Sequence, residues 1–295
     1  MATMTLFTFP GFETLAEPLH PYLQQREFQI RRFANGEIFV TIATPFDLSH
    51  CILLGSITPP DENLLSLALL AHTLKKDGCK RITALIPYLA YSRQDKQKAG
   101  ESLATAWTGS ILHASGVDTV ITIDVHSEHD QALYPMPLMS VSPAGVFAEA
   151  ARKFGLADAT VVAPDHGALQ RCRALNNALG RAGVEVPYLS KRRDPSGVKH
   201  LEFCGQATPR VLILDDILDT GATLTSACEM ILRNGAKEIV VMVTHGLFTG
   251  SDWARLWSLG VSRIFCADTV PLPGSILEDP RITVLPVGSL LREGL

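Results

Sequence analysis

The stretch Val211 to Ala227, VLILDDILDTGATLTSA, decides the fold. Four consecutive apolar residues, Val211 to Leu214, read as a buried strand, and Asp215 and Asp216 emerge at its end, with Asp219 three positions on. The turn Thr220-Gly221-Ala222-Thr223 then leads into a helical pattern from Leu224 to Arg233. Small residues in such a turn let backbone N–H groups face a bound anion, and the start of the next helix adds its positive dipole end, so phosphate is the natural guest. The carboxylates would repel phosphate. They suit the hydroxyl groups of a sugar, or a hard cation bridging the two. Strand, acidic corner and turn together describe a pocket for a phosphorylated sugar; an isolated Asp-Asp would mean only an acidic turn before a capped helix.

The 295 residues are enough for about two domains of ordinary size. An apolar fraction of 46%, a charged fraction of 19% and a formal net charge of -4 describe a globular chain with no general attraction to nucleic acid or to an anionic membrane. Six cysteines (Cys51, Cys79, Cys172, Cys204, Cys228, Cys266) are scattered without a CxxC pair, which suggests buried reduced thiols rather than a disulfide framework or thiolate zinc site. No apolar run reaches membrane-span length, and MATMTLFTFPGF lacks the pattern of a secretory signal, so a cytoplasmic location is expected.

Working outward, short β-rich runs alternate with helix-length segments: 51–57, 81–87, 119–125, 160–164, 211–216, 238–245 and 263–268. That order predicts an α/β fold with parallel sheets covered by helices. Asp61 is placed to cap a helix closed by Gly78, Ser142-Pro143 opens another, and Gly235 and Gly260 stand where helices end. The prolines of YPMPLMSVSP, 134–143, mark the domain boundary. We expect an N-terminal domain over 1–141, a C-terminal domain over 142–280, and a tail of about 281–295 that packs back on the first.

Ligands of parallel α/β sheets gather beyond the carboxyl ends of the strands. Residues 211–227 resemble the phosphoribosyl-diphosphate (PRPP) loop shared by type I phosphoribosyltransferases and ribose-phosphate diphosphokinases, the PRPP synthetases. RRFANGEIFVTI (31–42) and PYLAYSRQDK (87–96) resemble segments that the synthetases have and ordinary phosphoribosyltransferases lack. DVHSEHD (124–130), VVAPDHGALQRCRAL (161–175), SKRRD (190–194) and the closing ITVLPVGSLLREGL resemble further synthetase segments in the same order, so the resemblance covers nearly the whole chain. It implies two type I phosphoribosyltransferase-like domains, an ATP-binding one followed by a ribose-5-phosphate-binding one. The implied activity is transfer of the β,γ-diphosphoryl group of ATP to the C1 hydroxyl of ribose 5-phosphate, giving PRPP and AMP.

The resemblance also implies roles. Phe33, Asn35 and Glu37, with Arg93, Gln94 and Asp95, would bind ATP: an aromatic face for stacking, polar groups for the purine edge, and a planar fork for the phosphates. In the family these two segments meet across a subunit interface, which implies a homo-oligomer. His126 and Asp165 would hold the Mg2+ ion between ATP and the sugar. Lys191 and Arg193 would stabilise charge in the transition state; three cations joined to a Pro-Gly turn predict a mobile loop able to close on phosphates, whereas the same run by itself reads as a solvated basic loop. Asp215, Asp216, Asp219, Thr220, Gly221, Ala222 and Thr223 would bind ribose 5-phosphate.

The chain departs from the pattern in two places. Ala222 stands where many synthetases have a second glycine, a change tolerable where positive φ is not needed. After His126 the segment SEHDQALYPMP lacks the family's usual Gly-Gln and paired phenylalanines, and with KAGESLATA (98–106) it looks closer to the shorter, archaeal-type synthetases. His126 and His129 also form an HxxH pair, without a third ligand at a defined spacing. Two other readings are a catalytically silent homologue regulating an active partner and a phosphoribosyltransferase that consumes PRPP; retention of Lys191, Arg193, His126 and Asp165 disfavours the first, and the N-terminal segments disfavour the second.

Overall fold

A computed structural model of the chain describes residues 4–43, 45–127, 129–194 and 197–295, and leaves out the side chains of 191–201. Two compact units emerge. One comprises Met1–Val141 with Gly288–Leu295, the other Ser142–Val287.

In the first unit the elements run β1 (Met4–Thr8), α1 (Glu13–Ala16), β2 (Leu23–Arg26), β3 (Phe28–Arg32), β4 (Ile38–Ile42), β5 (His50–Leu54), α2 (Glu62–Lys76), β6 (Arg81–Leu85), α3 (Ala104–Ala114), β7 (Thr119–Ile123), α4 (His129–Leu133) and β8 (Leu138–Val141). Six of the strands form one parallel sheet in the order β2-β1-β5-β6-β7-β8. Its central members, such as Cys51 to Leu54 and Val120 to Ile123, are buried throughout, as expected of strands covered on both faces. β3 and β4 form a separate antiparallel hairpin whose turn, 33–37, is exposed.

The second unit contains α5 (Ala144–Lys153), β9 (Thr160–Val162), α6 (Leu169–Ala178), β10 (Tyr188–Asp194), β11 (Gly197–Cys204), β12 (Arg210–Leu218), α7 (Ala222–Arg233), β13 (Glu238–Gly246), α8 (Arg255–Ser258), β14 (Val261–Ala267), α9 (Gly274–Leu277) and β15 (Ile282–Leu285). Its five-stranded parallel sheet has the order β15-β14-β13-β12-β9. Alternation along the strands divides the core in two. Val211, Ile213, Ile239 and Val241 face α7 through Leu224, Ala227, Cys228 and Ile231. Leu212, Leu214, Val240 and Met242 pack with Phe147 and Ala151 of α5 and Leu169, Cys172 and Leu175 of α6. β12 is thus clamped between helical layers and leaves by its carboxyl end alone.

Several boundaries differ from the sequence reading. Asp61 does occupy the position before α2, yet its side chain caps no helical N–H; its carboxylate accepts the Tyr91 hydroxyl instead. Ser142 accepts the Ala144 N–H at 3.3 Å. SKRRD lies not in an open loop but largely on β10, paired antiparallel with β11, with a bulge between Ser190 and Lys191. The tail divides: Ile282–Leu285 is the edge strand beside β14, and only Gly288–Leu295, carrying α10 (Gly288–Glu293), belongs with the first unit.

The return of α10 depends on a glycine. A Cβ on Gly288 would lie 2.4 Å from the Leu15 carbonyl oxygen, a backbone atom that cannot swing aside. Gly288→Ala is expected to destabilise the first unit by about 1–3 kcal/mol, the usual cost of overpacking. Urea denaturation of variant and parent measures it; equal midpoints would show that α10 shifts without cost.

Candidate functional site

Asp215 and Asp216 lie buried near the carboxyl end of β12, with relative exposures of 7% and 5%. The Asp216 N–H donates to Asp215 Oδ1 at 3.0 Å, which bends the two carboxylates into one corner. Arg171, in the first turn of α6, approaches Asp215 Oδ1 at 3.6 Å and Asp216 Oδ1 at 3.5 Å. Burial is the chief force on Asp215: it pushes the carboxyl well above the ordinary range, Asp216 adds to the rise, Arg171 opposes it, and Asp165 raises it further. Three carboxylates therefore share the field of one another and of Arg171. That imbalance suits sugar hydroxyls, which can donate to the carboxylates, and a hard divalent cation, which would offset their charge.

Asp165 follows β9 and opens a single tight turn, His166–Ala168. Its Oδ1 accepts the Ala168 N–H at 3.1 Å. Gly167 passes so near that a Cβ there would lie 3.2 Å from Asp165 Oδ1.

Past β12 the chain turns through Asp219 and Thr220, with the Asp219 carbonyl accepting the Thr249 N–H at 3.2 Å. Gly221 adopts φ +84, and a Cβ there would lie 2.6 Å from Cα of Trp253. Both the left-handed backbone and the close approach demand glycine. Ala222 is the first residue of α7 and is absent from the positive-φ positions. The condition under which a methyl is tolerable there is met. Residues 219–223 thus present a compact turn at the start of a 12-residue helix, the arrangement that favours an anion. On its flank Thr220, Ala222, Thr225, Ser226, Glu229 and Arg255 help line a cleft of about 240 Å³.

Lys191 and Arg193 have their backbone on β10, opposite His200 and Val198. Their side chains lie outside the described residues, as do Pro195 and Ser196 of the adjoining turn.

In the first unit, the two segments assigned to ATP flank the first turn of α2. The hairpin is tied there by an ion pair between Arg32 and Glu62, and the 87–96 segment by the Tyr91–Asp61 hydrogen bond. Phe33 is 56% exposed and lies against Phe39, ring centroids 4.5 Å apart. Asn35 Oδ1 accepts the Glu37 N–H at 3.2 Å, and the Phe33 N–H donates to the Glu37 carbonyl at 2.9 Å, so Asn35 shapes the turn that presents Phe33 and Glu37. Tyr91 takes φ 67, an uncommon conformation for a bulky residue, and Thr105 Oγ1 bonds both the Tyr91 and Gln94 carbonyls at 3.1 Å. Ser102 Oγ holds the Gln94 side chain at 2.5 Å. Arg93 and Gln94 are exposed and Asp95 is buried.

His126 is exposed just beyond β7, after Asp124 at φ 48. Asp130 is fully buried nearby. Among the described residues no three His, Cys, Asp or Glu side chains group as a ready metal-ligand set, so the HxxH pair gains no third ligand there.

Arg171 is the residue that sequence reasoning missed. It stands in the quoted segment 161–175 beside Arg173, and nothing in the sequence separates the two; the structure half-buries Arg171 against the acid pair and leaves Arg173 exposed.

The chain as a whole resembles a known group of proteins. Residues 4–116 match the family described as the N-terminal domain of ribose phosphate pyrophosphokinase, and residues 159–295 match the phosphoribosyl synthetase-associated domain. A ribose-phosphate pyrophosphokinase from Ralstonia nicotianae is 31% identical over 297 residues, covering 98% of this chain and 93% of the relative. The chain belongs to the ribose-phosphate pyrophosphokinase family. The Vibrio cholerae relative of that name is 29% identical, with 100% and 96% coverage. The crystal structure of phosphoribosylpyrophosphate synthetase from Mycobacterium smegmatis superposes with a TM-score of 0.85 at 25% identity, over 99% of this chain and 97% of that one. The α/β architecture and the enzyme class expected from the sequence are those of the family.

Two substitutions probe the acid corner. Arg171→Met leaves two buried carboxylates without their guanidinium and is expected to cost about 3–5 kcal/mol of stability, read by chemical denaturation. Asp215 behaves oppositely. Its carboxyl holds a proton more tightly folded than unfolded, so ligand-free stability is fully present below the ordinary value of 3.8 and is lost as pH rises through the raised folded value. Asp215→Asn removes that loss, so its thermal midpoint at pH 7 should exceed the parent's; a lower midpoint would show that the carboxylate is a net stabiliser.

Proposed function

We propose that the protein is an ATP:ribose 5-phosphate diphosphotransferase. The C1 hydroxyl oxygen of the sugar forms a bond to the β-phosphorus of ATP, the bond from that phosphorus to the α,β-bridging oxygen breaks, AMP leaves with the bridging oxygen, and the hydroxyl proton is released. The observation that carries this reading is the acid corner joined to the phosphate turn in one 215–223 segment, on a chain that belongs to the family. Asp215 and Asp216 would accept hydrogen bonds from the ribose hydroxyls, with Arg171 holding them in place, while Asp219 through Thr223 would seat the 5-phosphate against the start of α7.

The N-terminal unit would bind ATP. Phe33 would stack on the adenine, Asn35 and Glu37 would meet its edge together with Gln94 and Asp95, and Arg93 would pair with the triphosphate through its planar fork. We assign magnesium to His126 and Asp165. The surplus of carboxylate charge around Asp165, Asp215 and Asp216 is compatible with a divalent ion. When bound, magnesium neutralises phosphate oxygens as charge moves to the leaving group. Lys191 and Arg193 would donate to the transferring phosphoryl oxygens. The exposed 33–37 hairpin supports a homo-oligomer in which a second copy completes the nucleotide site.

Incubation with magnesium, ATP and ribose 5-phosphate should give AMP and PRPP in equal amounts, separable by ion-exchange chromatography; absence of both at saturating substrate would sink the reading. Lys191→Ala should lower kcat about 100-fold, the loss of one preorganised donor worth roughly 3 kcal/mol, while ribose 5-phosphate affinity by calorimetry stays unchanged. Unchanged turnover would transfer that role to another residue.

A further inference from the structure

We infer, on the sugar-phosphate reading proposed above, that Trp253 is a positioning residue for the 219–223 turn. Its indole braces the loop that follows β13, and that loop holds the turn in its anion-facing form. Loop and turn are joined directly. Leu218 and Gly246 stand opposite each other at the end of the β12–β13 pairing. Beyond that register the Leu247 and Phe248 N–H groups both donate to the Leu218 carbonyl, at 2.8 and 3.0 Å, and the Thr249 N–H donates to the Asp219 carbonyl at 3.2 Å. Three successive amides of one segment thus grip the two residues through which β12 passes into the turn.

Pointing neighbouring donors at one carbonyl requires a sharply bent backbone. Phe248 supplies the bend with φ 48, a conformation that a bulky residue keeps only where its surroundings enforce it. Its ring is buried and folds back on Gly246, where a Cβ would lie 2.5 Å from Phe248 Cε2. The same ring meets Trp253 edge to face, centroids 4.9 Å apart. Trp253 belongs to the single tight turn Asp252–Ala254 and also meets Trp257, at 6.1 Å, over whose ring the Arg281 guanidinium lies 4.2 Å from the centroid. Both indoles pack on the core layer that α7 covers. Held there, Trp253 presses its Cα and Cβ on Gly221, 2.6 and 2.9 Å from where a side chain would begin. The indole therefore acts on the turn at both ends, through Phe248 at 218–219 and through Gly221 at the start of α7. Binding groups have to be kept within about 0.5 Å of their productive geometry, and a brace of this kind does so.

Trp253→Ala keeps the Cβ that faces Gly221 and removes the indole that anchors it. Calorimetric titration of the full chain with ribose 5-phosphate, in the presence of magnesium and a non-hydrolysable ATP analogue, reads the turn; titration with the analogue alone reads the nucleotide site. The variant is expected to bind ribose 5-phosphate about 10-fold or more weakly, with analogue affinity within about 2-fold of the parent's. Trp253→Phe, which keeps a ring against Phe248, should recover most of the loss. Ribose 5-phosphate affinity within about 2-fold of the parent's in a folded Trp253→Ala overturns the inference, as does a Trp253→Phe variant equally weak. Equal weakening of both ligands also overturns it, marking a general loss of structure. Hydrogen exchange of the unaltered chain decides the matter if Trp253→Ala does not fold: ribose 5-phosphate should slow exchange of the 247–249 amides, and unchanged exchange there overturns the inference. Failure of the parent itself to bind ribose 5-phosphate would instead refute the sugar-phosphate reading, a distinguishable outcome.

Discussion

A strand packed between helical layers cannot end in charge unless something meets that charge. β12 carries two buried carboxylates near its carboxyl end, and the Arg171 guanidinium approaches them at 3.5 and 3.6 Å. The contact comes from α6, whose opposite side is welded into the core by Leu169, Cys172 and Leu175. Core packing and site chemistry are thereby one construction: the apolar face of α6 places its guanidinium, and the guanidinium makes the acid pair tolerable. Compensation is incomplete, since burial and neighbouring acids still lift Asp215 above its ordinary range. Among the described side chains the corner keeps more negative than positive charge, which suits hydrogen-bond donors and cations.

The phosphate turn obeys a steric rule rather than an electrostatic one. Gly221 must be glycine twice over, for its φ of +84 and for the approach of Trp253. Ala222 need not be, because the helix has already begun there. The departure from a double glycine is thus absorbed by backbone geometry. The first unit follows comparable logic at another helix start, where Asp61 and Glu62 tie down the 87–96 segment and the β3–β4 hairpin through Tyr91 and Arg32. Asp61 gives up capping to do so, and α2, with 15 residues and a continuous buried face, can do without that bond.

Much of this was readable in one dimension because buried parallel strands write themselves as unbroken apolar runs. Seven of the strands, the acid corner, the phosphate turn and the helix-ending glycines Gly78, Gly235 and Gly260 were legible for that reason. The edges were not. β1, β2 and β8 are short strands with mixed sequences, and LSKRRD reads as a basic loop because its pairing with β11 depends on a partner chosen by the sheet. The tail was legible as a strand and helix, but not that the strand stays with the second unit while only the helix joins the first.

What the amino-acid order determined by itself was local: apolar periodicity, the glycine demanded by a turn, and the grouping of Asp215, Asp216 and Asp219 within one loop's reach. Tertiary structure decided which of two neighbouring arginines meets those acids, that Asp61 spends its carboxylate on Tyr91, and that Asp130 is buried, with Oδ1 lacking a hydrogen-bond partner among the described residues. The physical reason is common to all three. Hydrogen-bonding and charge partners are set by proximity in space across many residues of sequence, and desolvation, which fixes the energy of every such contact, exists only once the chain has packed.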